Sequence, residues 1–126
     1  MAADFDGVYA ELRAMMLRAA PDMRPLKDVP GELQMLAPWP HPRKPKEPMW
    51  FGMVRQGRAY VSYHLLPLYM NPAMQAQVPP ALAKRKQGKA CFNFKTAEPA
   101  LLAELETLTR ACAAAFAKPV AFEPPA

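Results

Sequence analysis

Two short segments of the sequence, residues 58–65 and 89–95, carry polar side chains at every second position. Both segments are rich in aromatic or β-branched residues, which predicts strands whose alternate side chains share one face. Lysines beside hydroxyl and amide donors suit phosphate or carboxylate, because they combine charge with several hydrogen bonds. We therefore expect an open sheet face that contacts a small anion or an acidic partner. The candidate ligand-binding residues are Tyr60, Ser62, His64, Lys89, Asn93 and Lys95.

A cysteine and a histidine on the same segments permit a different chemistry. If Cys91 and His64 share the open face, an imidazole base could activate a thiolate nucleophile. No third residue that would orient this pair is evident from the spacing. The sequence therefore predicts no catalytic residue, and a small enzyme that uses Cys91 and His64 stays as the alternative to a binding module.

The sequence offers no recognisable set of metal ligands. His41 and His64 are 23 positions apart, no CxxC or Cys/His spacing involves Cys91 or Cys112, and the acidic residues form no run. Iron needs carboxylate and imidazole ligands. We therefore expect no stoichiometric iron site, no other metal site and no cofactor. The two cysteines are predicted to be reduced thiols.

The strand that carries Tyr60, Ser62 and His64 is predicted to be half of a hairpin. Gln56-Gly57 separates two strand-like runs and predicts a two-residue turn, because glycine supplies the positive φ that such turns require. The expected pairs on the core face are Val54–Ala59, Gly52–Val61 and Trp50–Tyr63. The expected pairs on the mixed, open face are Arg55–Arg58, Met53–Tyr60, Phe51–Ser62 and Met49–His64. In the other strand, Phe92 and Phe94 are expected to face the core.

Two amphipathic helices are predicted to cover the core face of the sheet. Apolar residues at helical spacing predict one helix over residues 5–20, ended by Pro21. A second apolar stripe predicts a helix that starts near Pro99 and ends before Pro119. The other expected elements are a loop over 22–32, a strand over 32–37, short helices over 72–77 and 80–86, a left-handed Gly88, and a frayed tail over 119–126.

The segment 38–48 contains five prolines in eleven residues. Proline lacks the N–H that a sheet needs, so we expect a stiff, exposed loop without ladder pairing. The spacing of Pro42 and Pro45 also fits a proline-rich ligand for an aromatic groove, although such spacing arises by chance in any proline-rich chain.

The composition narrows the class of protein. The 126 residues suit one domain, and an apolar fraction of 52% excludes disorder throughout. A net charge of +5 and a pI near 9.4 favour anionic partners over cationic ones. A nonspecific nucleic-acid binder is the third class of function that we consider, although the sequence contains no recognised nucleic-acid-binding motif. Without a signal peptide or a long apolar run, we expect a soluble, cytoplasmic monomer or homodimer that does not bind membranes.

The runs WFGMVRQGRAYVSYHLLPLYM and GKACFNFK, followed by a leucine-rich helix, resemble the YdhG-like family of small bacterial proteins of unknown function. The resemblance covers residues 30–117. It implies a two-layer α+β fold of the secretion-chaperone-like type, with an antiparallel sheet of four to five strands and helices on one face. Residues 118–122 are the candidate for a fifth strand. Some members are described as frataxin-like iron chaperones, a role that the scattered acidic residues of this chain disfavour.

Overall fold

The chain has the α+β fold that the sequence predicts, with helices packed on an antiparallel sheet. The computed structural model describes residues 5–41, 44–70, 72–88 and 91–117. The elements in these ranges are α1 (Phe5–Ala19), β1 (Arg24–Val29), β2 (Glu32–His41), β3 (Lys44–Gln56), β4 (Val61–Leu65), α2 (Leu66–Met70), α3 (Pro72–Gln75), α4 (Pro80–Ala83), β5 (Lys86–Gln87), β6 (Cys91–Phe94) and α5 (Pro99–Ala115).

The strands form one antiparallel sheet in the order β1-β2-β3-β4-β6-β5. The helix α1 packs against β3, β4 and α5, so the two long helices cover one face of the sheet. Among the described residues, no helix covers the opposite face, which we call the open face. Alternate residues of β4 and β6 are buried and half-buried, which is the pattern of a sheet with one covered face.

The sheet has six strands within the described residues, whereas four to five were expected. The additional strands are β1, which lies in the expected loop 22–32, and the two-residue β5. Every residue of β1 is exposed, so the strand lacks the apolar alternation that marks a half-buried strand. Pro30 and Gly31, with φ of +83° at Gly31, form the tight turn into β2. The candidate fifth strand at 118–122 and the tail lie outside the described residues.

The proline-rich segment extends a hairpin, so the expected unpaired loop is wrong for residues 38–41 and 44–48. Leu36 lies opposite Trp50, and Pro40 lies opposite Pro48, with irregular register between them. The edge strand β1 begins at Arg24, opposite Leu36. Beyond Leu36, no strand of the described residues pairs with the outer side of β2, so a missing N–H on that side leaves no ladder acceptor unpaired.

A β-bulge at Phe51 reverses the alternation of β3. On one side of it Met35 pairs with Gly52, and on the other Leu36 pairs with Trp50, so Phe51 is the additional residue. As a result Phe51 is fully buried and Trp50 is 38% exposed. The expected placement of Trp50 in the core, and of Met49 and Phe51 on the open face, is therefore wrong.

The β3–β4 hairpin has a longer loop than the expected two-residue turn. Met53 lies opposite His64 and Gln56 opposite Val61, and the Gly57 N–H donates to the Tyr60 carbonyl over 2.9 Å. Each partner on β4 is thus displaced by four residues from the expected register. Since four is an even number, the face of each β4 side chain is unchanged. Tyr63 is fully buried and His64 is half-buried, as expected.

Both long helices are confirmed, and so is the orientation of β6. The helix α1 spans Phe5–Ala19 and α5 spans Pro99–Ala115. Phe92 and Phe94 are buried, whereas Cys91 and Asn93 are half-buried. Two buried hydrogen bonds tie α5 to the sheet: Tyr63 Oη lies 2.7 Å from Thr109 Oγ1, and the Trp39 indole donates to the Phe116 carbonyl over 2.8 Å.

Gly52 sits where β4 and α1 approach β3 most closely. A Cβ at this position would lie 2.6 Å from the His64 carbonyl oxygen and 2.9 Å from Met16 Cε. The first contact is with backbone, which cannot rotate away. Gly52 therefore permits the close approach of three elements.

We expect Gly52→Ala to lower the free energy of unfolding by about 1–3 kcal/mol, because the added methyl forces a backbone shift in a packed region. Urea denaturation followed by circular dichroism measures this loss. The matched control is Gly57→Ala, whose Cβ would lie 3.0 Å from the Tyr60 carbonyl in an exposed loop. Equal losses for the two variants would show that close packing at Gly52 is not the constraint.

Candidate functional site

On the open face, side chains of β3, β4 and β6 lie in two parallel rows that run across the strands. The first row, which we call the Ser62 row, consists of Arg55, Ser62 and Asn93. The second, the His64 row, consists of Met53, His64 and Cys91. Cross-strand partners in an antiparallel pair project from the same face, so each row is a line of neighbouring side chains.

The buried residues of β4 and β6 fix these rows in place. Val61, Tyr63 and Leu65 alternate with Ser62 and His64, and all three are fully buried. A slip of one residue would bury the polar set and expose the apolar set. The core on the other face of the sheet therefore determines which side chains meet on the open face.

The His64 row brings together the two residues of the enzymatic alternative. Cys91 Sγ lies 3.5 Å from His64 Nε2. Burial raises the pKa of the Cys91 thiol, and a hydrogen bond with Ser62 offsets part of the rise. Burial also lowers the pKa of the His64 imidazole. Both shifts favour a neutral thiol beside a neutral imidazole, whereas a nucleophilic pair needs thiolate beside imidazolium.

The Ser62 row is bound into a network of hydrogen bonds. The Asn93 amide donates to Gln87 Oε1 over 2.6 Å, and Cys91 Sγ lies 3.5 Å from Asn93 Oδ1. Ser62 is engaged with Cys91. Much of the hydrogen-bonding capacity of Ser62 and Asn93 is thus used within the protein, and these residues fix the shape of the face more than they offer free donors.

Cations without a carboxylate partner flank the Ser62 row. Arg55, Arg58 and Lys95 are exposed and form no ion pair with another described residue. Arg55 is the β3 member of the row, and it lines a surface depression of about 580 Å³ together with Arg58. Lys95 follows the β6 member of the row, Asn93, by two residues. The row therefore has two arginines beside its β3 end and one lysine beside its β6 end.

The carboxylates of Asp6 and Glu32 lie near these arginines. Asp6 accepts a hydrogen bond over 2.7 Å from the amide of Gln56, which lines the same depression. Glu32 is the β2 partner of Arg55, but its carboxylate binds Lys27 Nζ at 3.5 Å and accepts a hydrogen bond from the Gln34 amide. Glu32 is therefore occupied by other partners, and Arg55 retains its donors.

The cations of the helical layer are paired. Arg13 binds Asp28 at 2.5 Å, and Arg18 and Arg110 both bind Glu106, at 2.5 Å and 2.7 Å. These contacts hold the pKa of the Glu106 carboxyl at about 2. The charge available to an anionic ligand is therefore greater at the Ser62 row than on the helices.

The other end of the open face carries apolar and charged side chains together. Leu36 is buried although it lies opposite the exposed Arg24 and Trp50, and it is not part of the core cluster. The surface depression that it lines also contains Leu26, which is 52% exposed, and further lining residues, namely Pro38, Pro40, Arg24, Lys46 and Glu47. The open face thus has a mixed end, with exposed apolar residues, on β1–β3 and a polar end on β3–β6.

Five of the six predicted ligand-binding residues lie on or beside β4 and β6. Ser62, His64 and Asn93 belong to the two rows, while Tyr60 and Lys95 lie at the ends of their strands. Lys89 lies outside the described residues. The sequence-based prediction placed Arg55 and Met53 on the open face but not among the ligand-binding residues, because the expected hairpin register set other residues opposite Ser62 and His64. It did not include Gln87, because the short strand β5 was not expected.

Within the described residues, no group of three or more His, Cys, Asp or Glu side chains could hold a metal ion. Both cysteines are free thiols. Likewise, none of the helices in the described ranges is long and apolar enough to cross a membrane.

No protein-family model matches the chain, and no curated protein or solved structure is significantly similar to it. Membership of the YdhG-like family therefore stays a prediction from the sequence.

The environment of Cys91 predicts a thiol that reacts slowly with alkylating reagents at neutral pH and faster at high pH. Because its pKa is raised above the ordinary value of 9.0, little thiolate is present at pH 7. We expect iodoacetamide to alkylate Cys91 more slowly than a free cysteine at pH 7–8, with a rate that still rises above pH 9. Mass spectrometry of quenched samples gives the rate.

The variant Cys91→Ser is the control for this measurement. It should show almost no alkylation in the native state, because Cys112 is fully buried and its pKa is raised to about 12. A rate for Cys91 that is fast at pH 7 and flat from pH 6 to 8 would contradict the neutral pair and favour the enzymatic alternative.

Proposed function

We propose that this protein is a non-catalytic binding module whose open sheet face takes a small anion or the acidic side chains of a partner. The observation that supports this most directly is the set of unpaired cations that flank the Ser62 row, namely Arg55, Arg58 and Lys95. An arginine can bind a phosphate or carboxylate through two parallel hydrogen bonds. Two arginines beside one depression supply that geometry twice.

The charge distribution supports the proposal further. The chain carries a net charge of +5, and the basic residues of α1 and α5 named above are neutralised by carboxylates. An anion that approaches the molecule therefore finds its most favourable exposed donors at the polar end of the open face. The rows behind them are fixed by the core, so the cost of ordering the site is reduced.

Two alternatives have weaker support. The 3.5 Å contact between Cys91 and His64 favours an enzyme by proximity, but the directions of both pKa shifts favour the unreactive, neutral pair. A nonspecific nucleic-acid binder would use the same cations, yet three unpaired cations around one row are a small footprint for a charged backbone. We also infer that the protein works in the cytoplasm, where its thiols stay reduced.

The iron-chaperone role of some YdhG-like proteins is not part of this proposal. Frataxin-like binding relies on an acidic surface, and the polar end of the open face carries cations. We therefore place the protein, by resemblance alone, among YdhG-like proteins without assigning it that activity.

We expect the double variant Arg55→Gln/Lys95→Gln to lose affinity for anions while it folds normally, because exposed charges contribute little to stability. A thermal-shift screen of anionic metabolites, inorganic phosphate and an Asp/Glu-rich peptide detects ligands by their stabilisation of the native state. The shifts should be smaller in the double variant, and the difference should shrink in high salt because exposed charges are screened.

The control is Arg13→Gln/Arg110→Gln, which removes the same two charges from the helical layer. It should keep the native ligand profile. If both double variants respond alike, the effect is one of net charge and the open face is not the site. A steep loss of affinity for double-stranded DNA with salt, seen only in the native protein, would favour nucleic-acid binding instead.

A further inference from the structure

The His64 row holds three side chains that are ligands for soft metal ions. Met53 is the cross-strand partner of His64, and His64 is the partner of Cys91. All three are half-buried on the open face. Thioether, imidazole and thiolate are the combination that selects cuprous copper over hard cations such as iron, magnesium or calcium.

The separation of two of these side chains is compatible with coordination of a single ion. Cys91 Sγ and His64 Nε2 are 3.5 Å apart. In a tetrahedral zinc site, a thiolate sulfur bound at about 2.3 Å and an imidazole nitrogen bound at about 2.0–2.1 Å are about 3.5 Å apart. The Cys91–His64 separation therefore matches that of two ligands of one metal ion.

The surroundings of the pair suit a soft monovalent ion. Gln34, Ser62 and Asn93 are neighbours on the adjoining strands and rows, and all are uncharged. Arg55 stands two residues along β3 from Met53, and its charge disfavours a divalent ion more than a monovalent one.

Hydrogen-bonding partners around Cys91 fix the direction of its sulfur. Cys91 is engaged with Ser62 and lies 3.5 Å from Asn93 Oδ1, and the Asn93 amide is held in turn by Gln87. Outer partners of this kind fix the direction of a ligand and commonly change metal affinity when they are removed.

We propose that Met53, His64 and Cys91 form a binding site for one cuprous ion. Binding replaces the thiol proton: the S–H bond breaks, an S–Cu bond forms, and the proton passes to solvent. The oxidation state of copper does not change. This site is separate from the anion-binding residues of the proposed function, since it uses the other row of the open face.

The test is an anaerobic titration of the reduced protein with Cu(I) in competition with a chromogenic cuprous chelator such as bicinchoninate. We expect one Cu(I) per chain. Cys91→Ser should abolish this binding, and Met53→Leu, which keeps the shape of the side chain, should weaken it at least about tenfold. Circular dichroism confirms that each variant is folded.

The matched control is Met74→Leu, at a half-buried methionine of α3 away from the row. It should bind Cu(I) like the native protein, and so should Arg55→Gln/Lys95→Gln. The proposal is overturned if the native chain takes up no Cu(I) from the chelator, if Cys91→Ser retains the ion, or if Met53→Leu and Met74→Leu bind equally well. Cys91→Ser and Met53→Leu leave Arg55 and Lys95 intact, and Arg55→Gln/Lys95→Gln leaves the His64 row intact, so either proposal can fail without the other.

Discussion

The bulge in β3 is the constraint on which the rest of the sheet depends. One additional residue, Phe51, sits between the regular pairs on either side of it. The bulge directs Met49 and Phe51 into the core in one half of the strand, and Gly52 and Val54 in the other. Both halves of the longest hairpin therefore contribute to the same core. Without the bulge, one half would present its apolar residues to the open face.

The same feature divides the open face. On the side of the bulge nearer the proline-rich hairpin, Trp50 and Leu36 project outward and make an apolar surface. On the other side, Met53 and Arg55 project outward and begin the two polar rows. Gly52, at the junction, lets β4 lie close enough to continue those rows. A local irregularity of the backbone thus determines where apolar contact ends and polar chemistry begins.

Sequence patterns predict the parts of this structure that have regular periodicity. Leu12 and Leu105 belong to stripes that identify α1 and α5, and strict alternation places Phe92 correctly in the core. The alternation pattern gave the wrong face for Trp50, because a bulge inserts one residue without any compositional signal. It also did not identify β1, because an exposed edge strand has no buried face and therefore no alternation. It also failed in the hairpin, where Gln56-Gly57 resembles a two-residue turn but the loop continues to Tyr60. Arg55 and Met53 could not be recognised as site residues until that register was known.

The two edges of the sheet affect how this molecule behaves in a crowded solution. An outer strand normally offers a row of free backbone groups that another chain can extend, which is the first step of fibril formation. Here the outer strand β1 contains Pro25, a register irregularity beside it and the charged Lys27, while the opposite edge, β5, is only two residues long. Both margins of the sheet thus carry features that disfavour pairing with another chain, and prolines occupy the stretch of β2 that β1 does not reach. This arrangement disfavours the joining of two copies edge to edge.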